Sequence, residues 1–119
     1  MTALIVDDEE NNRNIVRKLL RLIDADVQVL DEADSVPNAF QKIHEKKPDL
    51  VFLDIRLYNQ TANDLLKQFK SIDFSIIFIS AHRDDGYVPQ YPQSQYLLKP
   101  LDPDDLSQAI HKLQNDPAC

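Results

Sequence analysis

Four consecutive apolar residues, Leu50, Val51, Phe52 and Leu53, are followed directly by the carboxylate of Asp54. An uninterrupted apolar run of this length is typical of a strand buried on both faces of a parallel sheet. An ionised Asp inside such a strand would carry a large desolvation cost, so we expect Asp54 at the point where the strand leaves the core. Since the carboxyl ends of parallel strands line the ligand crevice of open α/β sheets, Asp54 is either a functional acid or a simple loop cap.

Strand-like and helix-like patterns alternate along the rest of the chain. Apolar segments predict five strands, at residues 4–6, 27–30, 50–53, 75–79 and 96–98. Helical spacing predicts helices over residues 12–23, from Ser35 toward Pro48, over 63–70 and from Asp102 onward. This alternation predicts an α/β fold, a doubly wound, flavodoxin-like parallel sheet of five strands in the order 2-1-3-4-5.

Helix starts and buried faces are marked in the sequence. Ser35 and Asp102 are good N-caps, and Pro103 suits the first position of the last helix. In the first helix, the apolar residues fall on one broad face that we expect to pack on the sheet: Ile15, Leu19 and Leu22, extended by Val16, Leu20 and Ile23.

Length and charge restrict the class of protein. The 119 residues correspond to one domain, 1–119, and 20 acidic against 13 basic residues give a net charge of −7. Direct nucleic-acid binding normally leaves a basic footprint, and a membrane span needs roughly 20 apolar residues; the sequence has neither, so we expect no such contacts. The single cysteine, Cys119, fits a reducing cytoplasm.

The predicted strands bring chemically useful side chains to one edge of the sheet. These are Asp7 and Asp8 after the first strand, Asp54 after the third, Ser80 after the fourth and Lys99 after the fifth. Three carboxylates repel one another, so at least one should have a raised pKa without a cation. Mg²⁺, or Mn²⁺ in its place, would relieve the repulsion, and Lys99 suits a phosphoryl group. With no Ser-His-Asp or Cys-His pair at the crevice, a carboxylate is the expected nucleophile of phosphoryl transfer.

Four segments together resemble the receiver domain of bacterial response regulators over essentially the whole chain. They are Val6-Asp7-Asp8-Glu9, Leu53-Asp54-Ile55-Arg56, Ile79-Ser80-Ala81 and Leu98-Lys99-Pro100. The sequences around Asp54 and before Pro100 are similar to those of the subgroup that carries a LytTR-type DNA-binding output domain. This sequence lacks such a domain.

The resemblance implies a role for each matched residue. Asp54 would accept a phosphoryl group from a sensor histidine kinase or phosphotransfer protein. Asp8, Asp54 and the backbone carbonyl of Arg56 would bind Mg²⁺ directly, and Asp7 through water. Lys99 would pair with the phosphoryl group, and Ser80 and Tyr96 would move together in the switch. The Lys99–Pro100 peptide bond would be cis.

The chain also departs from the family pattern. Tyr58 stands where the family usually has Pro, and Ala62 where it usually has Gly, so the loop after Asp54 should use a different geometry. Residues 83–95 contain Gly86, Pro89 and Pro92, which predicts a fourth helix that is shortened or missing. Because that helix normally helps to form the signalling surface, the expectation of a homodimer stays open. Tyr87, Tyr91 and Tyr96 could form an aromatic contact surface or pack within the loop.

Three functions from different classes remain open. The first is a cytoplasmic phosphoacceptor switch that is not an enzyme beyond its own phosphotransfer and dephosphorylation. The second is a receiver-like interaction module that phosphorylation does not regulate. The third is an aspartyl-phosphate hydrolase, whose second acid two residues after the nucleophile is replaced here by Arg56.

Overall fold

The computed structural model describes residues 1–81, 91 and 93–115. Its main sheet contains five parallel strands, namely β1 (Thr2–Val6), β2 (Gln28–Ala33), β3 (Leu50–Asp54), β6 (Ser75–Ser80) and β7 (Ser94–Leu98). Their spatial order is β2-β1-β3-β6-β7, which is 2-1-3-4-5 when these five strands alone are counted. The predicted topology is confirmed. Two short strands, β4 (Arg56–Leu57) and β5 (Gln60–Thr61), form a separate antiparallel ribbon.

The central strand β3 has the environment that its sequence predicts. It pairs with β1 on one side and with β6 on the other, and its four apolar residues are fully buried. Val51 and Leu53 face one core cluster, whereas Leu50 and Phe52 face the other, as the twofold repeat of a strand requires. Asp54 is the last residue of β3 and therefore lies at the carboxyl edge of the sheet.

Helices cover both faces of the sheet. The first core cluster lies under α2 (Val36–Lys46) and α3 (Ala62–Leu66). The second lies under α1 (Glu10–Leu22) and α4 (Pro103–Asn115). The predicted caps are present: the Ser35 hydroxyl accepts a hydrogen bond from the Asn38 N–H at 3.3 Å, and Asp102 Oδ1 accepts one from the Asp104 N–H at 2.7 Å. Pro103 is the first residue of α4.

The prediction for the packed face of α1 is wrong in part. Val16 and Leu20 are buried, but Ile15 is 46% exposed and Leu22 is 71% exposed. The apolar residues of this helix span too much of its circumference for a single sheet to cover. The structure therefore leaves an apolar strip on α1 that is not part of the core.

Several element boundaries also differ from the prediction. β2 continues to Ala33 because Asp31 and Glu32, at the edge of the sheet, form ion pairs with basic residues of α1 and α2. α3 ends at Leu66 instead of residue 70, and Phe69 packs against the core from the following segment. A capping box between Thr61 and Asp64, which the sequence analysis missed, begins this short helix.

The expectation of a shortened fourth helix concerns residues 83–95, of which 83–90 and 92 lie outside the described residues. Ser94 and Gln95 belong to β7, so the predicted irregular stretch extends too far at its C-terminal end. Tyr91 and Tyr96 are half-buried against the first core cluster, which favours loop and core packing over an aromatic contact surface. Tyr87 and Cys119 lie outside the described residues. Within the described ranges, no helix is long and apolar enough to span a membrane.

Candidate functional site

Three carboxylates meet at the carboxyl edge of the sheet. Asp7 and Asp8 follow β1, and Asp54 ends the neighbouring strand β3. One carboxylate oxygen from each lies within 4.8 Å of the other two. Asp7 and Asp54 are buried, and Asp8 is half-buried. The switch point between β1 and β3 thus brings together the acids that the sequence predicts there.

Lys99 reaches the same cluster from the end of β7. Its Nζ lies 3.1 Å from Asp54 Oδ2 and 3.4 Å from Asp7 Oδ2, so one ammonium group bridges two carboxylates. The Lys99 N–H also donates to the Ser80 main-chain oxygen at 2.7 Å, which fixes the start of the loop after β7. The Lys99–Pro100 peptide bond is cis, as the resemblance implied.

The electrostatics of the cluster follow from burial and charge. Burial, and then repulsion from Asp7, raise the pKa of Asp54 to about 6, although Lys99 and the Arg56 N–H act in the opposite direction. Burial alone would lower the pKa of Lys99, but the carboxylates of Asp54 and Asp7 hold it above its usual value. The prediction that at least one crowded carboxyl has a raised pKa is confirmed for Asp54.

Asp7 is held by an extensive set of hydrogen bonds. Its Oδ1 accepts from the Glu9 N–H at 2.9 Å and from Asn12 Nδ2 at 3.4 Å. Its main-chain oxygen accepts from Arg13 Nη1 at 2.6 Å. The sequence analysis did not single out Asn12 or Arg13. Their only signal was their place in the first turn of the helix that follows the acids.

The remaining predicted residues have less direct relations to the cluster. Ser80 is the last residue of β6, at the same edge, and is buried. The Arg56 side chain is exposed, and its N–H donates to Asp54 Oδ1 at 3.2 Å. Tyr96 lies within β7, opposite Phe78 on β6, and packs against the core.

The loop after Asp54, which contains Tyr58 and Ala62, forms the β4–β5 ribbon. Tyr58 connects β4 to β5 with a positive φ of 60°, which is unfavourable for a bulky side chain, and it is 90% exposed. Ala62 is fully buried, and its N–H donates to the Ile55 main-chain oxygen at 2.8 Å. The two-stranded ribbon therefore returns the chain to the core immediately beside Asp54.

The donor set fits a hard divalent cation. All three side chains offer carboxylate oxygens, which Mg²⁺ prefers, and one oxygen from each lies within 4.8 Å of the other two. Because Asp8 makes no hydrogen bond or ion pair recorded among the described residues, its carboxylate is available as a ligand. Asp54, beside the Lys99 ammonium, is the carboxylate best placed to attack an electrophilic phosphorus, since the developing negative charge would be paired.

Comparison with known proteins shows the family of this chain. The family model described as the response regulator receiver domain matches residues 3–111. The sensory transduction protein LytR of Staphylococcus epidermidis is 34% identical over 116 residues, which cover 95% of this chain and 46% of the relative. The sensory transduction protein LytT of Bacillus subtilis is 31% identical over 117 residues, which cover 94% of this chain and 47% of the relative. The chain thus spans about half the length of these curated relatives.

Solved structures show the same fold. A response regulator receiver domain protein from Clostridium thermocellum has a TM-score of 0.80 at 26% identity, covering 96% of this chain and 94% of that one. The receiver domain of AraT from Geobacillus stearothermophilus has a TM-score of 0.81 at 24% identity, covering 95% and 92%. With its parallel sheet, its acidic cluster and a family match over nearly its whole length, the chain belongs to the response regulator receiver domain family.

Proposed function

We propose that this receiver domain is a Mg²⁺-dependent phosphoacceptor switch in which Asp54 carries the phosphoryl group. The observation that carries the proposal is the contact of 3.1 Å between Lys99 Nζ and Asp54 Oδ2, inside a cluster that also holds Asp7 and Asp8. A buried acid with an ammonium partner and two further acids has no evident structural use, because burial and then the repulsion from Asp7 raise its pKa.

Asp54 is the nucleophile in the proposed reaction. One of its oxygens forms a bond to the phosphorus of a phosphohistidine, the phosphorus–nitrogen bond breaks, and the electron pair of that bond returns to the imidazole nitrogen of the donor. Asp54 attacks in its ionised form, which predominates above a pH of about 6. The Lys99 ammonium, which pairs with the Asp54 carboxylate before the transfer, then pairs with the oxygens of the transferred phosphoryl group.

Asp8, Asp54 and the main-chain carbonyl of Arg56 are the proposed direct ligands of Mg²⁺, with Asp7 acting through water. When bound, the cation neutralises charge on the carboxylates and on the phosphoryl oxygens. Mn²⁺ would suit the same oxygen ligands. Without a bound cation, the Lys99 ammonium screens the negative charges of Asp54 and Asp7, as its distances of 3.1 and 3.4 Å to their oxygens indicate.

The proposed output of the switch is a change at the neighbouring strand ends. Ser80 ends β6, which is hydrogen-bonded to both β3 and β7, so a shift of its hydroxyl toward a phosphoryl group would alter contacts on both sides. Tyr96, half-buried on β7, would move with it. The phosphoryl group would leave by self-catalysed hydrolysis, without turnover of other substrates.

The phosphodonor is proposed to be a sensor histidine kinase or phosphotransfer protein that binds the exposed strip of α1. Ile15 and Leu22 are two turns apart on one side of this helix, and the helix begins directly after Asp7 and Asp8. A helix of the donor lying on this strip would bury apolar surface beside the acceptor. Such a donor would place the protein in the cytoplasm.

Residues 1–119 are proposed to form a single receiver domain that works with an output domain. The curated relatives are about twice as long as the matched region. A C-terminal, LytTR-type DNA-binding domain would account for the difference, and nucleic-acid contacts would then belong to that domain.

The test is the intact mass of the protein after incubation with acetyl phosphate, with Mg²⁺ or with EDTA. The parent should gain the mass of one phosphoryl group only with Mg²⁺, and Asp54→Asn should gain none. Asp64→Asn, which removes a surface carboxylate at the start of α3, is the matched control and should react like the parent. An unmodified parent, or an equally modified Asp54→Asn variant, would contradict the proposal. Sustained release of phosphate from simple monoesters would instead support a hydrolase.

A further inference from the structure

Arg13 connects the acidic cluster to the edge of the sheet. It lies in the first turn of α1, and its guanidinium group makes two hydrogen bonds in different directions. Nε donates to Glu32 Oε1 on β2 at 2.8 Å, and Nη1 donates to the main-chain oxygen of Asp7 at 2.6 Å. The side chain is only 16% exposed, so this geometry is protected from solvent.

The carbonyl that Arg13 holds belongs to the peptide between the two acids. The planar peptide joins the Cα atoms of Asp7 and Asp8, so the direction of its carbonyl is set by ψ of Asp7 and φ of Asp8. Holding that carbonyl therefore restricts the backbone torsions at the two Cα atoms from which the carboxylate side chains project. The N–H of Asp7 is fixed to the Ala33 main-chain oxygen at 3.1 Å. Arg13 fixes the main-chain carbonyl of the same residue. Both backbone groups of Asp7 are therefore anchored to β2, the N–H directly and the carbonyl through Arg13 and Glu32.

We propose that Arg13 is a positioning residue for cation binding, which holds the Asp7–Asp8 peptide so that both carboxylates point into the cluster. This inference depends on the proposed function, because it concerns Mg²⁺ at the same site. Arg13 touches neither carboxylate and takes no part in phosphoryl transfer. Its effect is exerted through the direction of the peptide plane and through the anchor on Glu32.

The structure offers a closely matched control. Arg17, one turn further along α1, pairs with the other oxygen of Glu32 and is 44% exposed. Among the described residues it makes no hydrogen bond to Asp7. Removing Arg17 therefore deletes an arginine–Glu32 ion pair of the same helix but leaves the Asp7 carbonyl held.

The experiment compares Arg13→Gln, Arg17→Gln and Arg13→Lys with the parent by calorimetric Mg²⁺ titration. Groups that orient metal ligands typically contribute about 10-fold or more to affinity, so Arg13→Gln should bind Mg²⁺ about tenfold more weakly. Arg17→Gln should bind like the parent. Arg13→Lys, whose compact ammonium lacks the fixed fork of donors of the guanidinium group, should fall between them.

A second readout uses the protein without metal. The amide of Asp8 lies in the peptide whose carbonyl Arg13 holds, so its NMR resonance should shift in Arg13→Gln and stay in place in Arg17→Gln. Urea unfolding in EDTA checks that each variant is folded. Should Arg13→Gln fail to fold, Arg13→Lys decides the question by the same two measurements.

Failure of this inference is distinguishable from failure of the proposed function. If the parent binds Mg²⁺ and accepts the phosphoryl group while Arg13→Gln binds Mg²⁺ equally well, Arg13 has no positioning role. An equal loss of affinity in Arg13→Gln and Arg17→Gln would also overturn the inference, because the shared ion pair with Glu32 would then explain the effect. If the parent itself binds no Mg²⁺, the proposed function fails first.

Discussion

Replacing Asp54 with Asn should stabilise the metal-free protein at neutral pH and leave its stability nearly unchanged in acid. The carboxyl of Asp54 has its pKa raised from 3.8 to about 6, mainly by burial and then by Asp7. Between these two pH values the folded protein binds more protons than the unfolded chain. The free energy of unfolding of the parent therefore falls as the pH rises through this window, and the loss is complete above the folded pKa.

The size of the effect can be worked out from the shift in the pKa of Asp54. A shift of this size corresponds to about 3 kcal/mol of destabilisation when Asp54 is fully ionised. This shift already includes the opposing interaction with Lys99 Nζ, which lies 3.1 Å from Asp54 Oδ2 and lowers the pKa, and the Asn side-chain oxygen can still accept a hydrogen bond from Lys99. Asp54→Asn should therefore be more stable than the parent by about 3 kcal/mol at neutral pH and close to the parent in stability in acid, where Asp54 is protonated in the folded and unfolded states.

The assay is urea unfolding followed by circular dichroism, in EDTA at constant ionic strength, at several pH values on both sides of the window. Asp64→Asn is the control of opposite sign. The pKa of Asp64 is lowered, chiefly by the hydrogen bond from the Thr61 main chain, so its ionised form stabilises the fold and its removal should destabilise the protein at neutral pH. The reasoning would be refuted if the difference between Asp54→Asn and the parent did not change with pH, or if the variant were the less stable at neutral pH.

Three further outcomes are expected. Adding Mg²⁺ at a hundredfold excess over its dissociation constant should stabilise the parent by about 2.7 kcal/mol and Asp54→Asn by much less, as measured by urea unfolding; equal gains would contradict the proposed ligands. Phe52→Ala, which empties a fully buried position on the central strand, should cost about 3 to 5 kcal/mol in the same assay; a cost near zero would mean that β3 is not central to the core. Tyr58→Asn should raise the thermal midpoint and stabilise the protein by roughly 0.5 to 1 kcal/mol, because Asn tolerates the positive φ of 60° at this exposed position. A lower midpoint would show that the backbone of Tyr58 is not strained.

The sequence by itself determined the features that depend on neighbours along the chain. The apolar run from Leu50 to Leu53 is typical of a strand that is buried on both faces. The acid that follows such a strand is then expected at the edge of the sheet. Ser35 and Asp102 cap their helices by hydrogen bonds to residues only two to three positions away. The alternation of strands and helices, with right-handed crossovers, then leads to the observed strand order and to a shared edge for Asp7, Asp54 and Lys99.

Only the tertiary structure decided which side of an element meets the core and which distant side chains meet each other. The apolar residues of α1 cover more of the helix than the sheet can bury, so no local pattern could reveal that Ile15 and Leu22 would remain exposed. The second strand was predicted to end at residue 30, but Glu32 belongs to β2 and pairs with Arg13, 19 residues away in the sequence. The raised pKa of Asp54 likewise depends on distances to Asp7 and Lys99, and distances between remote residues are set by packing.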